Sequence, residues 1–358
     1  MKRIEYFKEN ISRHLLAKME RLKQQYGPES KEYLALANQY IYNPQEEIHE
    51  GREVNLKHYE AGDSEAAPHN VERLYKRHCC IEITFSCCAN CRFCLRSNYE
   101  RFTLTEENME QIAQYLKSIN AEEVLITGGD AFCAPVKLSQ LVSKITTIAP
   151  NVQIFRIATR MITQAPELIS EKVFNLLEVL SKTKRVEVAT QINSHLELKD
   201  DEDVARVVRK IQSYGILIYS QNVFLKGVND TPEQLIELYH EMRLLGIEAH
   251  YLFHSIPMIG SHHHRPTVDK MIQCYEALVN SGQVTGRSKP ILALMTDIGK
   301  ITLTPRNVIH YVKGEVIRCK SNYKYEDRIA YNPDWKLPQN AQIDEDGYLI
   351  IDYVDGED

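Results

Sequence analysis

Residues Ile81-Glu82-Ile83-Thr84-Phe85-Ser86 run straight into Cys87-Cys88-Ala89-Asn90-Cys91-Arg92-Phe93-Cys94. Apolar Ile81, Ile83 and Phe85 alternate with polar residues, which is the pattern of a strand. The thiols that follow are spaced C-x3-C-x2-C. Three thiolates on one tight loop hold one face of a [4Fe–4S] cubane and leave the fourth iron open for a small molecule. A structural zinc site closes four ligands, typically as two C-x2-C pairs. No second pair follows here, since Cys133, Cys274 and Cys319 are single and far apart. The expected metal ligands are therefore Cys87, Cys91 and Cys94, and an open iron is a place for chemistry more than for scaffolding.

Outward from that strand, the same alternation repeats. Strand-like apolar runs fall at 81–85, 124–127, 154–158, 186–192, 216–224 and 250–253. Amphipathic segments lie between and after them at 106–119, 138–148, 167–180, 202–214, 232–245 and 268–279. Strands alternating with helices of this length imply a parallel sheet with right-handed crossovers. The predicted fold class is α/β, a partial (β/α)6 TIM-like barrel with an N-terminal helical extension. Chemistry on such a barrel sits at the carboxyl ends of the strands, which is where the cysteine loop begins. A last run at 291–295 reads as an extra strand beside or beyond the barrel. Upstream, Ile11, Leu15, Leu16, Met19 and Leu22, then Tyr33, Leu36 and Tyr40, give helical spacing. The stretch 49–70 turns polar and is broken by Gly51, Gly62 and Pro68. The expected division is residues 1–70 as helical extension and connector, 71–300 as barrel, and 301–358 as a C-terminal extension, either an ordered arm or a partly disordered one.

The bulk properties fit an enzyme of the cytoplasm. The chain has 358 residues and a formal net charge of −6, which gives no reason to expect nucleic acid. No apolar stretch approaches a membrane span, and Met1-Lys2-Arg3-Ile4-Glu5 lacks the apolar core of a signal peptide. Nine cysteines, odd in number and clustered, point to reduced thiols and metal ligation rather than disulfides. Cys79, Cys80, Cys88, Cys133 and Cys274 read as small hydrophobes.

Two further groups stand at strand ends. Gly128-Gly129-Asp130 closes the second strand; paired glycines let backbone approach a ligand closely. Arg156 and Arg160 flank the end of the third, on one face if the strand continues, and either would hold a carboxylate through a bidentate pair.

Taken together, these motifs resemble the lysine 2,3-aminomutase family of radical S-adenosylmethionine enzymes over about residues 72–305. The resemblance rests on Cys87-x3-Cys91-x2-Cys94, Gly128-Gly129-Asp130, Arg156 to Arg160, and the run from Gln221 through Gly227-Val228-Asn229-Asp230. It continues through Gly260, His263 and Arg265 to Lys300 and Thr302-Leu303-Thr304-Pro305. It implies a 2,3-aminomutase that moves an α-amino group to the β-carbon with a [4Fe–4S] cluster, S-adenosylmethionine, whose cleavage gives a 5′-deoxyadenosyl radical, and pyridoxal phosphate. By the same resemblance Lys300 carries the pyridoxal cofactor, Arg96 serves its phosphate and Gln221 belongs to the cofactor site. Gly128, Gly129 and Asp130 border S-adenosylmethionine, and Arg160 holds the substrate carboxylate. An electron donor such as flavodoxin or ferredoxin is implied, and a homo-oligomer is compatible.

The chain departs from the family in two places. The glycine stretch before Lys300 is shorter, only Asp297-Ile298-Gly299. Where lysine-specific members grip the distal ammonium with two aspartates, the nearest register has Ile256 and Met295, with Asp297 as the only alternative carboxylate. An aliphatic wall leaves a buried ammonium several kcal/mol short, roughly the cost of an unpaired buried ion, so the expected substrate is not lysine. The other enzymatic reading is a radical enzyme modifying another substrate, such as a protein-bound residue, without pyridoxal phosphate. A non-enzymatic electron carrier or zinc-stabilised module leaves Gly-Gly-Asp, Arg160 and Lys300 without a purpose. The run His262-His263-His264 reads as substrate or cofactor contact at His263 rather than a zinc site.

Overall fold

In a computed structural model that describes residues 7–48, 67–98 and 103–358, nine strands form one sheet in sequence order. They are β1 (Val71–Tyr75), β2 (His78–Glu82), β3 (Glu123–Thr127), β4 (Ile154–Ala158), β5 (Arg185–Thr190), β6 (Leu217–Phe224), β7 (Glu248–His254), β8 (Ile291–Thr296) and β9 (Gly299–Thr302). From β2 to β8 every pairing is parallel. An antiparallel strand closes each edge, β1 on β2 and β9 on β8. This curled, mostly parallel sheet is the half-barrel that the alternating pattern predicts, with one more parallel strand than expected. The run at 291–295 is that seventh strand, because Leu292 and Leu294 bury against the same core as the six before it.

Successive residues of a strand point to opposite faces and residues two apart share one, which fixes what lines each side. Val124, Ile126, Phe155, Ile157, Val186, Val188 and Ile218 are buried among the helices. Glu123, Arg156, Glu187 and Tyr219 therefore turn inward. The first strand begins three residues earlier than predicted, at His78. Cys79 continues the buried series of Ile81 and Ile83, so Cys79 and Cys80 lie within the strand, and Cys79 behaves as a core apolar residue.

Helices α1 (Arg13–Tyr26) and α2 (Lys31–Tyr40) form the N-terminal extension, each started by a serine cap. Crossover helices α3 (Glu106–Ser118) and α4 (Pro135–Ile148), the short α5 (Met161–Gln164), and α6 (Glu171–Ser181), α7 (Glu202–Gln212), α8 (Pro232–Leu244) and α9 (Val268–Asn280) cover the outside. In α3 the buried positions Met109, Ile112, Ala113 and Leu116 follow the 3.6-residue period. The extension packs on the barrel through buried polar contacts: the Lys18 ammonium donates to the Glu197 carbonyl at 2.9 Å and pairs with Asp201 at 2.6 Å. Most of the connector expected at 49–70 lies outside the described residues.

The C-terminal arm is ordered. Strands β10 (Val308–Val312), β11 (Val316–Lys324), β12 (Ala341–Ile343) and β13 (Tyr348–Val354) form an antiparallel sheet in the order β10-β11-β13-β12, with helix α10 (Tyr325–Tyr331) inserted. The buried Arg328 donates to the Ile298 carbonyl at 2.9 Å, and the Asn340 amide donates to Asp297 at 2.8 Å. The arm therefore clamps the β8–β9 turn. No helix among the described residues is long and apolar enough to cross a membrane.

Candidate active site

After Glu82 the chain leaves the sheet and carries the thiols on a loop held from both sides. The Cys94 amide donates to the Cys91 carbonyl at 3.0 Å, and the Ser97 hydroxyl to the Cys94 carbonyl at 2.7 Å. From the extension, Asn10 donates to the Cys87 carbonyl at 3.2 Å, and the Arg92 amide to the Gln39 carbonyl at 2.8 Å. Arg92 also forks onto Glu46, with Nε 2.8 Å from Oε1, both side chains almost wholly buried. Nothing in the sequence marks this pair, because Glu46 and Arg92 meet only when the extension folds over the loop. None of the nine cysteines forms a disulfide. Burial, then Cys94, Asp130 and Cys91, drive the Cys87 thiol far above its usual range. Thiols so packed give up their protons only to a cation bound beside them, so the donor set fits an iron–sulfur cluster.

Gly128 and Gly129 serve this loop differently from the expected close approach to a ligand. A Cβ on Gly128 would collide with the Thr84 backbone, and one on Gly129 with the Phe85–Ser86 backbone. Gly128 also sits at φ 140, where a side chain is strained. The glycines thus let the β3 turn nest against the chain that leads into the cysteines. Asp130 is buried and saturated. It accepts from the Phe132, Arg160 and Met161 amides at 2.9, 2.6 and 3.1 Å and from the Thr159 hydroxyl at 2.8 Å. Burial raises its pKa against these donors. Its carboxylate welds the β3 and β4 ends together, and its hydrogen-bonding capacity is taken within the chain.

The two arginines part company. Strand β4 ends at Ala158, so the assumption that the strand continues fails and they do not share a face. Arg156 points into the barrel, 2.9 Å from Glu123, which His78 and Arg156 together pull down to about 2. Arg160 stands just before α5, in helical rather than extended backbone. Its guanidinium donates to the Gln191 carbonyl at 2.9 Å, to Cys91 Sγ at 2.8 Å, to Gln39 at 3.2 Å and to Glu197 at 3.0 Å. Those partners occupy the fork expected to hold a substrate carboxylate and turn it toward the cysteine loop. Arg96 forms an ion pair with the buried Glu82.

Lys300 lies on the opposite side of the half-barrel. Its neighbour Ile301 is buried in the core, so Lys300 faces inward, as does its cross-strand partner Met295 beside buried Leu294. Its ammonium lies 4.0 Å from the Tyr251 ring centre and 5.2 Å from that of Phe253. No carboxylate among the described residues pairs with it. Burial, and then Arg156, push its pKa down to about 8. His250, stacked on Tyr251 with centroids 4.0 Å apart, is lowered to about 4 by burial, Lys300 and Arg156. A lysine near neutrality among planar rings fits an amine that bonds an aldehyde cofactor. Gln221 lies on the inner face of β6 and hydrogen-bonds Tyr219.

Ile256 and Met295, joined by Leu95, pack around the buried Met258 as one apolar cluster. Asp297, the remaining carboxylate candidate, is buried in the β8–β9 turn and bonded by Asn340. His264 stands edge-on to Phe93 with ring centres 6.1 Å apart.

The chain is similar to several known proteins. Residues 77–204 match the 4Fe-4S single cluster domain family. A radical SAM methyltransferase from Sphaerobacter thermophilus overlaps 63% of this chain and 68% of its own, with a TM-score of 0.45 and 14% identity. A protein of Aquifex aeolicus provisionally named an L-lysine 2,3-aminomutase is 31% identical over 72% of this chain and 70% of its own length. L-lysine 2,3-aminomutases of Methanococcus maripaludis and Clostridium subterminale are 26% and 25% identical over 74% and 76% of this chain; it spans 62% and 66% of their lengths. By its sequence similarity over most of its length, this chain belongs to the lysine 2,3-aminomutase family of radical S-adenosylmethionine enzymes.

Proposed function

We propose that the protein is a 2,3-aminomutase acting on an amino acid with an uncharged side chain, with a [4Fe–4S] cluster, S-adenosylmethionine and pyridoxal phosphate as cofactors. The observation that carries this reading is Lys300. It is an inward lysine with no carboxylate partner among the described residues and its pKa near 8, set over Tyr251 and Phe253 and beside an apolar wall. The bound cofactors would supply hydrogen abstraction from the substrate's β-carbon and the shift of nitrogen between adjacent carbons.

The chain's own residues do the rest. Cys87, Cys91 and Cys94 are the residues that would hold the cluster, with an iron left over for S-adenosylmethionine. Lys300, whose pKa burial and Arg156 bring down to about 8, is the residue that would hold pyridoxal phosphate through its aldehyde. Tyr251 and Phe253 offer flat faces to the cofactor ring and exclude water. Arg96 and Arg156 are the inward cations available to a phosphate and a carboxylate; each would exchange part of its present pairing with Glu82 or Glu123. Ile256, Met258 and Met295 offer a substrate side chain apolar contact only, which supports an uncharged amino acid over lysine.

The test is anaerobic reconstitution with iron, sulfide and pyridoxal phosphate, borohydride reduction and peptide mass spectrometry. A pyridoxyl group on Lys300, with β-amino acid formed from an uncharged member of an amino-acid panel, is the expected result. A protein with a full cluster and no label at Lys300 would overturn the aminomutase reading and leave a radical enzyme without pyridoxal phosphate.

A further inference from the structure

Two side-chain donors are aimed at the sulfur of Cys91. Arg160 donates to Sγ at 2.8 Å and the Gln164 amide nitrogen at 3.3 Å. Both donors are locked. Arg160 is fixed at its other nitrogens by the Gln191 carbonyl, Gln39 and Glu197. Glu197 in turn accepts from the Asn193 and Ser194 amides at 2.8 and 3.0 Å and from the Thr163 hydroxyl at 3.2 Å. Gln164 is buried, donates to the Tyr40 hydroxyl at 3.4 Å and accepts from the Cys88 thiol at 3.5 Å. Gln39 and Tyr40 belong to α2, so the N-terminal extension completes the shell around a barrel arginine.

We propose that Arg160 and Gln164 are positioning residues that raise the reduction potential of the cluster through Cys91, and that α2 keeps them aimed through Gln39 and Tyr40. The inference rests on the cluster reading of Cys87, Cys91 and Cys94. Adding one electron to a cluster increases the negative charge on its sulfurs. N–H donors fixed on one ligand sulfur stabilise that charge more in the reduced than in the oxidised state, and a buried setting strengthens the effect. The extension then has a purpose beyond covering the barrel, since without it the guanidinium loses Gln39 and turns away from the sulfur.

The experiment is an EPR-monitored redox titration of the reconstituted protein with dithionite, in the absence of any amino acid. Gln164→Leu removes one neutral donor and leaves the Arg160–Glu197 pair intact. Arg160→Gln is made together with Glu197→Gln, so that no buried charge is left alone. For the double variant the expected result is a lower midpoint, by an amount equal to at least a tenfold fall in the reduced-to-oxidised ratio at fixed potential, which is 59 mV for one electron. A smaller fall in the same direction is expected for Gln164→Leu, with altered g-values in both. Gln39→Leu should lower the midpoint by less than the double variant. Variants that bind full iron and sulfide yet keep the wild-type midpoint and g-values would overturn the proposal. A wild-type protein that assembles no cluster would instead remove the reading on which it rests.

Discussion

Around Cys91 the polar side chains are interlocked: Arg160, Gln164, Gln39 and Glu197 spend their hydrogen bonds on one another and on a sulfur. Lys300, on the last strand of the same sheet, has aromatic rings for neighbours and no carboxylate partner among the described residues. The contrast follows from what each end must hold. An anionic cluster is kept by oriented donors, which also fix the loop. For the role proposed for Lys300 the amine must lose its proton, and burial with a nearby cation favours that loss. Polar side chains are saturated at one end, while at the other no carboxylate among the described residues pairs with the lysine.

The largest effect should come from Cys91→Ser, which removes a ligand and the acceptor of the whole donor shell. Iron and sulfide content should fall below about a tenth of wild type, measured by chemical analysis after reconstitution. Lys300→Ala strikes the other end alone. Amino-acid turnover should drop by more than about 10²-fold while the cluster spectrum is unchanged; loss of both would show that the two ends are not separable. Arg92→Leu tests saturation as a source of stability. It strands the buried Glu46 and should cost about 3–5 kcal/mol in chemical denaturation. Lys182→Ala, which removes an exposed pair with Glu178 on α6, should cost only about 0.3–0.5 kcal/mol.

The withheld pairing at Lys300 predicts a pH signature. An amine-selective reagent should label Lys300 half-maximally near pH 8, the value to which burial and Arg156 lower it; an ordinary lysine titrates near 10.4. Because the folded pKa lies below the unfolded one, the unfolded chain binds more protons across that interval. Lys300 therefore costs stability fully below pH 8, and stability should rise between pH 8 and about 10.4. Lys300→Met should flatten that rise. A further substitution would make the surroundings of Lys300 resemble the saturated end. Met295→Asp sets a carboxylate across from Lys300 and should move its labelling midpoint upward by about 1–2 pH units. An unmoved midpoint would mean that the two side chains do not meet.

How far the residues could be read depended on whether their meaning was local. The thiol spacing and the strand–helix alternation rest on sequence neighbours, so they were legible; Lys300 stood out only through the family resemblance, and its inward direction is set by the pairing of β9 with β8. Gly128 and Gly129 were expected to approach a ligand because glycine signals close approach without naming the partner, which is the chain's own Thr84 to Ser86. Asp130 reads as an open carboxylate until its four donors arrive from residues 132 and 159–161. The pairing of Glu46 with Arg92 spans 46 positions, a separation that carries no periodicity to detect.

By itself the sequence determined the α/β class, the metal-binding loop after the first parallel strand and the family. Strand alternation and ligand spacing are short-range properties, and folding preserves them. Only the tertiary structure decided which arginine faces which end. Arg156 and Arg160 are four residues apart, yet the strand stops between them at Ala158. One side chain is sent into the barrel beside Lys300, and the other to the sulfur of Cys91.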